Sequence, residues 1–177
     1  MPEEKALEGS YVWSAEEIAR AGMWHYRANN RWMGRWLAII LILVAGARLI
    51  LAVVNHEPIS IEIGFVSLLM VIALLSLLLP LFVRMLIRLN FSRKPEQGKT
   101  VTLRVSEKKI VIETKDFRSA TEFWNTLEKI VQTREGLLCY TSLGIYHWLP
   151  FSAFKASDAG KLLEFARKYP EKLKETR

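Results

Sequence analysis

Trp36-Leu-Ala-Ile-Ile-Leu-Ile-Leu-Val-Ala-Gly-Ala-Arg-Leu-Ile-Leu-Ala-Val-Val54 and Ile63-Gly-Phe-Val-Ser-Leu-Leu-Met-Val-Ile-Ala-Leu-Leu-Ser-Leu-Leu-Leu-Pro-Leu-Phe-Val83 decide the architecture of this chain. At about 1.5 Å rise per residue, the 19 residues of the first run reach about 28 Å as a helix, close to a bilayer's hydrocarbon thickness. The second run has 21 residues and no charge. The expectation is a transmembrane hairpin: helix 36–54, external loop 55–62, helix 63–83.

The flanks orient it. Arg27, Arg31 and Arg35 precede the first run, with Trp32 and Trp36 one turn apart at the bilayer surface, and Arg84, Arg88, Arg93 and Lys94 follow the second. The loop Asn55–Glu62 has no Lys or Arg, so the positive-inside rule keeps both termini in the cytoplasm. The 35 residues before the first run, with no small-residue cleavage site after it, argue against a secretory signal. Cys139 is the single cysteine and forms no intrachain disulfide, which suits a reducing compartment.

Arg48 is the one charge inside the spans. It costs about 2.5–3.5 kcal/mol at a helix centre, while each Leu, Ile or Val returns about 0.3–0.6 kcal/mol, so the twelve such residues of 36–54 carry it in. Two roles stay open for it: snorkelling to the outer interface, or a buried contact with Glu57 or Glu62. Pro80 reads as a local kink.

The formal net charge is +7, of which residues 90–177 carry +6, 36–89 carry +1 and 1–35 none. This excess lies beside the anionic cytoplasmic leaflet, where each basic residue near the surface contributes about 1 kcal/mol. Anionic lipid headgroups are therefore expected partners. No nucleic-acid-binding motif accompanies the charge, and acids intersperse the bases, so nucleic acid is not an expected partner.

Ser14-Ala-Glu-Glu17 has capping-box spacing and starts a helix directed toward the first span, with Tyr11-Val-Trp13 a short strand ahead of it. Arg20, Trp24, Arg27, Arg31 and Arg35 fall on one side of that helix, either as a lipid-phosphate stripe or simply to fix orientation and depth. After the membrane the hydrophobic period becomes two: Val101-Leu103-Val105, Ile110-Ile112, then Ala120–Trp124, Leu127–Thr133, Leu137–Thr141 and Ile145–Leu149. Glu135-Gly136 and Leu143-Gly144 supply reversals, and Lys115-Asp116 a turn. Leu162, Phe165, Ala166 and Tyr169 form the face of a last helix ended by Pro170. The fold class is α+β: a membrane hairpin, then a small antiparallel sheet of about six strands capped by a C-terminal helix. Residues 1–35 are a cytoplasmic segment and 90–177 the β-rich domain. That domain is small enough that the N-terminal strand and the membrane surface help complete it.

Thr121-Glu-Phe-Trp-Asn-Thr-Leu-Glu-Lys-Ile-Val131, Gly136-Leu-Leu-Cys-Tyr-Thr-Ser142 and Ile145-Tyr-His-Trp-Leu-Pro-Phe-Ser-Ala-Phe154 resemble the C-terminal domain of YcxB-like bacterial membrane proteins. The best-matching features are Trp124 opening a strand, the turn before Leu137, and Leu149-Pro150 before Phe154. The core set is Trp124, Leu138, Tyr140, Tyr146, Pro150, Phe154 and Phe165. The resemblance implies a cytoplasmic segment, two membrane helices and a β-rich tail in the bacterial cytoplasmic membrane. Such tails are similar in outline to pleckstrin-homology-like domains, a seven-stranded barrel plugged by a C-terminal helix. With six strands counted after the membrane, either Tyr11–Trp13 supplies another or the barrel is incomplete. No activity comes with the resemblance, so it implies no catalytic residue.

The residues themselves point away from catalysis. His25, His56 and His147 lie in separate segments without metal-ligand spacing, and no cofactor is expected. Cys139 and His147 fall on neighbouring strands as a conceivable thiolate–imidazole pair, yet Cys139 sits in an apolar run, where cysteine behaves as a small hydrophobe. Gly98-Lys99-Thr100 lacks the rest of a phosphate-binding loop. Asp116, Glu122 and Glu128 read as the solvated side of strands. The expected function is non-enzymatic: a two-span membrane protein whose domain binds a membrane-protein partner, headgroups or a second copy of itself. The alternative is an oligomeric pore subunit that uses Arg48, with Gly34/Ala38 and Ala45-Gly46-Ala47 as helix contacts.

Overall fold

A computed structural model describes residues 6–30, 33–55, 59–115, 118–142 and 144–176. The chain divides into two compact units, one joining residues 1–28 with 87–177, the other formed by 29–86.

The first unit contains two four-stranded sheets. β1 (Leu7–Val12) pairs antiparallel with β2 (Thr100–Val105), from Leu7 opposite Val105 to Val12 opposite Thr100. β3 (Lys109–Thr114) and β4 (Arg118–Phe123) continue the meander, giving the order β1-β2-β3-β4. In the second sheet β6 (Gly136–Ser142) lies between β5 (Lys129–Gln132) and β7 (Ile145–Pro150). Period-two patterning explains the packing: alternate residues of each strand face the other sheet. Val101, Leu103, Val105 and Ile110 of the first sheet meet Ile130, Leu137, Cys139 and Leu149 of the second in one buried core.

β1 joins the post-membrane strands in one unit, as the small size of 90–177 leads us to expect, and the helix after β1 joins it too. Two features depart from the sequence reading. Trp124 opens no strand. It begins a 3-10 turn (Trp124–Thr126) after β4, fully buried, with its indole Nε1 donating to the Ser106 carbonyl at 2.9 Å. An additional strand, β8 (Leu173–Glu175), pairs parallel with β5 once Pro170 has ended the helical conformation.

The C-terminal helix (Ala156–Arg167) buries Leu162 and Ala166 in the inter-sheet core, with Phe165 packed against it. β1 passes close by: a Cβ on Gly9 would meet the Ala153 carbonyl and the Phe154 ring at 2.8 Å, so only glycine fits. The other helical layer is α1 (Ala15–Asn30), whose Ser14 hydroxyl accepts the Glu17 amide at 3.1 Å as the sequence anticipates. α1 covers the outer face of the second sheet.

The second apolar run belongs to a helix longer than itself, Ile59–Ser92, which passes through Pro80 and carries its last turns into the first unit. There Phe91 packs tilted on Trp13 at 5.6 Å, Arg88 pairs with Glu16, and Ile87 lies so close to Gly22 that a Cβ there would clash at 2.6 Å.

The second unit comprises the helix Met33–Val54 and most of Ile59–Ser92, both long and apolar enough to cross a membrane. Only 17% of the first apolar window and 6% of the second is buried. Their buried positions are small: Ala38, Ala45 and Ala52 at heptad spacing on one helix, Ala73 on the other. Val66, Leu69, Ala73, Ser76, Pro80 and Val83 alternate steps of three and four along that seam.

Candidate functional site: the helix-covered face of the second sheet

α1 presents Ala21, Trp24 and Ala28 to Val131, Leu138, Tyr140, Tyr146 and Trp148, forming a second cluster separate from the inter-sheet core. The alternation of β7 decides this. Tyr146 and Trp148 point outward to α1, whereas Leu149 points into the core.

Unlike the core, this face is edged with polar groups. The Trp148 indole Nε1 donates to Glu17 Oε1 at 2.8 Å, and Glu17 pairs with Arg20, which also reaches Glu135, both at 3.3 Å. Toward the other end of α1, His25 stacks on Tyr146 with ring centroids 4.7 Å apart, and its Nδ1 hydrogen-bonds the Tyr140 hydroxyl at 3.0 Å. Lys129 lies over the Tyr140 ring at 5.2 Å. Burial, and then Lys129, lower the His25 pKa; burial, and then Lys174, lower that of Lys129; burial raises that of Tyr146.

The sequence-predicted site residues scatter. Trp24 is buried against the sheet, so the Arg20–Trp24 part of the stripe is bound to protein, and Arg27 lies over the Trp24 ring at 5.0 Å. Arg88 is held by Glu16. Trp36 is half-exposed, Arg84 is exposed on the long helix, and Arg93 and Lys94 are exposed just beyond it. Arg31, Trp32 and the Arg35 side chain lie outside the described residues, as do His56, Glu57, Asp116 and the Glu62 side chain. Arg48 lies over the Phe65 ring at 5.9 Å, within the helical pair. Leu138, Tyr140 and Tyr146 gather on the α1-covered face; Trp124, Phe154 and Phe165 gather in or against the inter-sheet core; Pro150 is buried at the end of β7. The groups that sequence reasoning missed are Glu17, Arg20, His25 and Lys129 as one set. The signal available for them was the Ala21-Trp24-Ala28 spacing, which marks a docking face on α1.

Cys139 and His147 are register partners across β6 and β7. Cys139 is fully buried and burial pushes its thiol far up, while His147 Nε2 donates to Glu122 Oε1 at 3.3 Å. This is a buried thiol beside an imidazole hydrogen-bonded to a carboxylate. Glu122 departs from its expected solvated side: the register puts it opposite Ile110 on the inward face, where it is half-buried and His147 reaches it from the other sheet. Gly98 is a left-handed residue (φ 80°) between the long helix and β2, and its amide donates to the Trp13 carbonyl at 2.9 Å, extending the β1–β2 pairing rather than cradling a phosphate. Among the described residues no group of three His, Cys, Asp or Glu is arranged for a metal.

Residues 105–166 match the family model of YcxB-like protein. This chain carries a YcxB-like domain. The match runs from the end of β2 into the C-terminal helix, so the YcxB-like segment includes both halves of the inter-sheet core together with Leu138, Tyr140, Tyr146 and Trp148. β1, α1 and β8 lie outside it. No curated protein and no solved structure matches the chain.

Proposed function

We propose that this is a non-enzymatic, two-span protein of the bacterial cytoplasmic membrane, both termini cytoplasmic, whose YcxB-like domain works as an association module for a membrane-protein partner, anionic headgroups or a second copy. The observation that carries this reading is the pairing of β1 with β2 across the whole apolar hairpin. A sheet whose adjacent strands flank two spans folds only if both flanks emerge on the same side of the bilayer. The large, mostly exposed apolar surface of the two helices supports insertion, since water-facing patches of that size are rare on soluble proteins. Two facing sheets with a C-terminal helix in their core, and β1 bringing the strands ahead of that helix to seven, support a pleckstrin-homology-like architecture.

The test is topological. Reporters fused at either terminus should read as cytoplasmic and one inserted at Pro58 as external, and an internal Pro58 would overturn the hairpin.

A further inference from the structure

The outer face of the second sheet has a direction. Glu17 and Arg20 meet Trp148 and Glu135, whereas His25 meets Tyr140 and Tyr146. α1 therefore runs alongside β6 in the same sense: about 12 Å of helix from Glu17 to His25 matches about 13 Å of strand from Gly136 to Tyr140. One more helical turn brings Ala28, where the chain leaves this unit, level with Ser142 and the β6–β7 turn. The chain returns at Ile87, which lies against Gly22 and is about 6 Å of helix beyond Val83, the last residue of the second apolar run. The β6–β7 turn thus belongs to the end of the unit from which both apolar segments depart.

Gly144, in the left-handed region (φ 87°), leads into β7 at Ile145, 61% exposed while Trp148, Leu149 and Pro150 of the same strand are buried. Behind it stand Tyr140, Tyr146 and Lys129, and Lys174 shares that face as the register partner of Val131. An exposed aliphatic tip beside two lysines has the composition of a membrane–water interface contact, with Tyr140 and Tyr146 packed behind it under α1.

We propose that the β6–β7 turn, led by Ile145, seats in the headgroup layer of the membrane that the hairpin crosses, with Lys129 and Lys174 facing anionic headgroups. This rests on the two-span reading. The test uses the full-length chain in vesicles of phosphatidylcholine with phosphatidylglycerol, some lipids carrying a headgroup or shallow-chain nitroxide quencher. A fluorophore is placed at Ile145→Cys, at Leu68→Cys within the second span, or at Ser157→Cys at the opposite end of the strands. The unsubstituted chain gives the background, Cys139 being fully buried. Ile145 should be quenched about threefold more than Ser157, and more strongly with phosphatidylglycerol than in phosphatidylcholine alone. Adding Lys129→Gln and Lys174→Gln should abolish that gain. Quenching at Ile145 equal to Ser157, with Leu68 quenched, would overturn this inference alone, including the case in which a protein shields the tip. An unquenched Leu68 would overturn the two-span reading and this one with it.

Discussion

The two faces of the second sheet are built differently. Toward the first sheet it presents Ile130, Leu137, Cys139 and Leu149, all fully buried in an apolar core. Toward α1 it presents Leu138, Tyr140, Tyr146 and Trp148, and the helix answers with Trp24 and small residues but also with Glu17, Arg20 and His25. Burial of apolar area holds most of the inner face together, with the Glu122–His147 contact as its polar exception. Charge-assisted and titratable contacts contribute to the outer face, and these respond to pH and salt. Folding of the sheets is therefore separable from their grip on α1, the element that leads to the first apolar helix.

The largest effect expected is from removing α1 and β1 together. A chain of residues 90–177 alone loses an edge strand of one sheet and the cover of the other, and should aggregate. Linking residues 6–28 to 87–177 by a short flexible segment should give a soluble, folded domain. Sedimentation and circular dichroism of the two would decide, and a folded monomer of 90–177 would erase the distinction between the faces.

Next come the two tryptophans. Trp124→Ala opens a cavity in the inter-sheet core and should cost about 3–5 kcal/mol, visible as loss of global stability in denaturant. Trp24→Ala should act locally, raising amide exchange along α1 while the strands stay protected. Equal deprotection of both layers by Trp24→Ala would show them to be one cooperative unit.

The smallest effect is the pH response of α1. Because burial and Lys129 hold the docked His25 below its ordinary value of 6.5, the undocked helix binds a proton more readily. Docking should be unaffected above that value and should weaken as pH falls through it toward the lower docked value. Lys129, Tyr140 and Tyr146 are the titratable groups facing His25, and of these Lys129 carries the like charge that opposes protonation. Protection of the Ala21–Ala28 amides, corrected for the intrinsic pH dependence of exchange, should fall as pH drops below the ordinary His25 value of 6.5, with His25→Gln flattening the response. No change in the unsubstituted chain would remove His25 as a contributor.

Much of this was legible in the sequence. The strands from Val101 to Leu149 follow from alternation, the start of α1 from Ser14 and Glu17, and the apolar helices from length. What was hidden was long-range. Nothing local to Leu7-Glu-Gly-Ser-Tyr-Val12 names β2 as its neighbour, since the pairing spans the hairpin. Trp124 carries strand-like neighbours, and its turn depends on the Ser106 carbonyl, 18 positions away. Glu122 read as solvated because it is a carboxylate, yet it shares its phase with Ala120 and Trp124 and lies opposite buried Ile110, and His147 of the other sheet partners it there. Trp24 sat among arginines and so read as part of a stripe that binds lipid phosphate or sets depth, although its own face of α1 completes the domain.

The pairing of β1 with β2 is the claim on which the rest depends, and Glu8 opposite Arg104, with their side chains in an ion pair at 3.5 Å, gives direct access to it. In the full-length protein in membranes, Glu8→Cys with Arg104→Cys should form a disulfide rapidly on mild oxidation, because directly opposed strand residues bring their Cβ atoms within reach of one. Pairing Glu8→Cys with Thr126→Cys should not. Absence of the Glu8–Arg104 cross-link, with both thiols reactive, would contradict the composite domain.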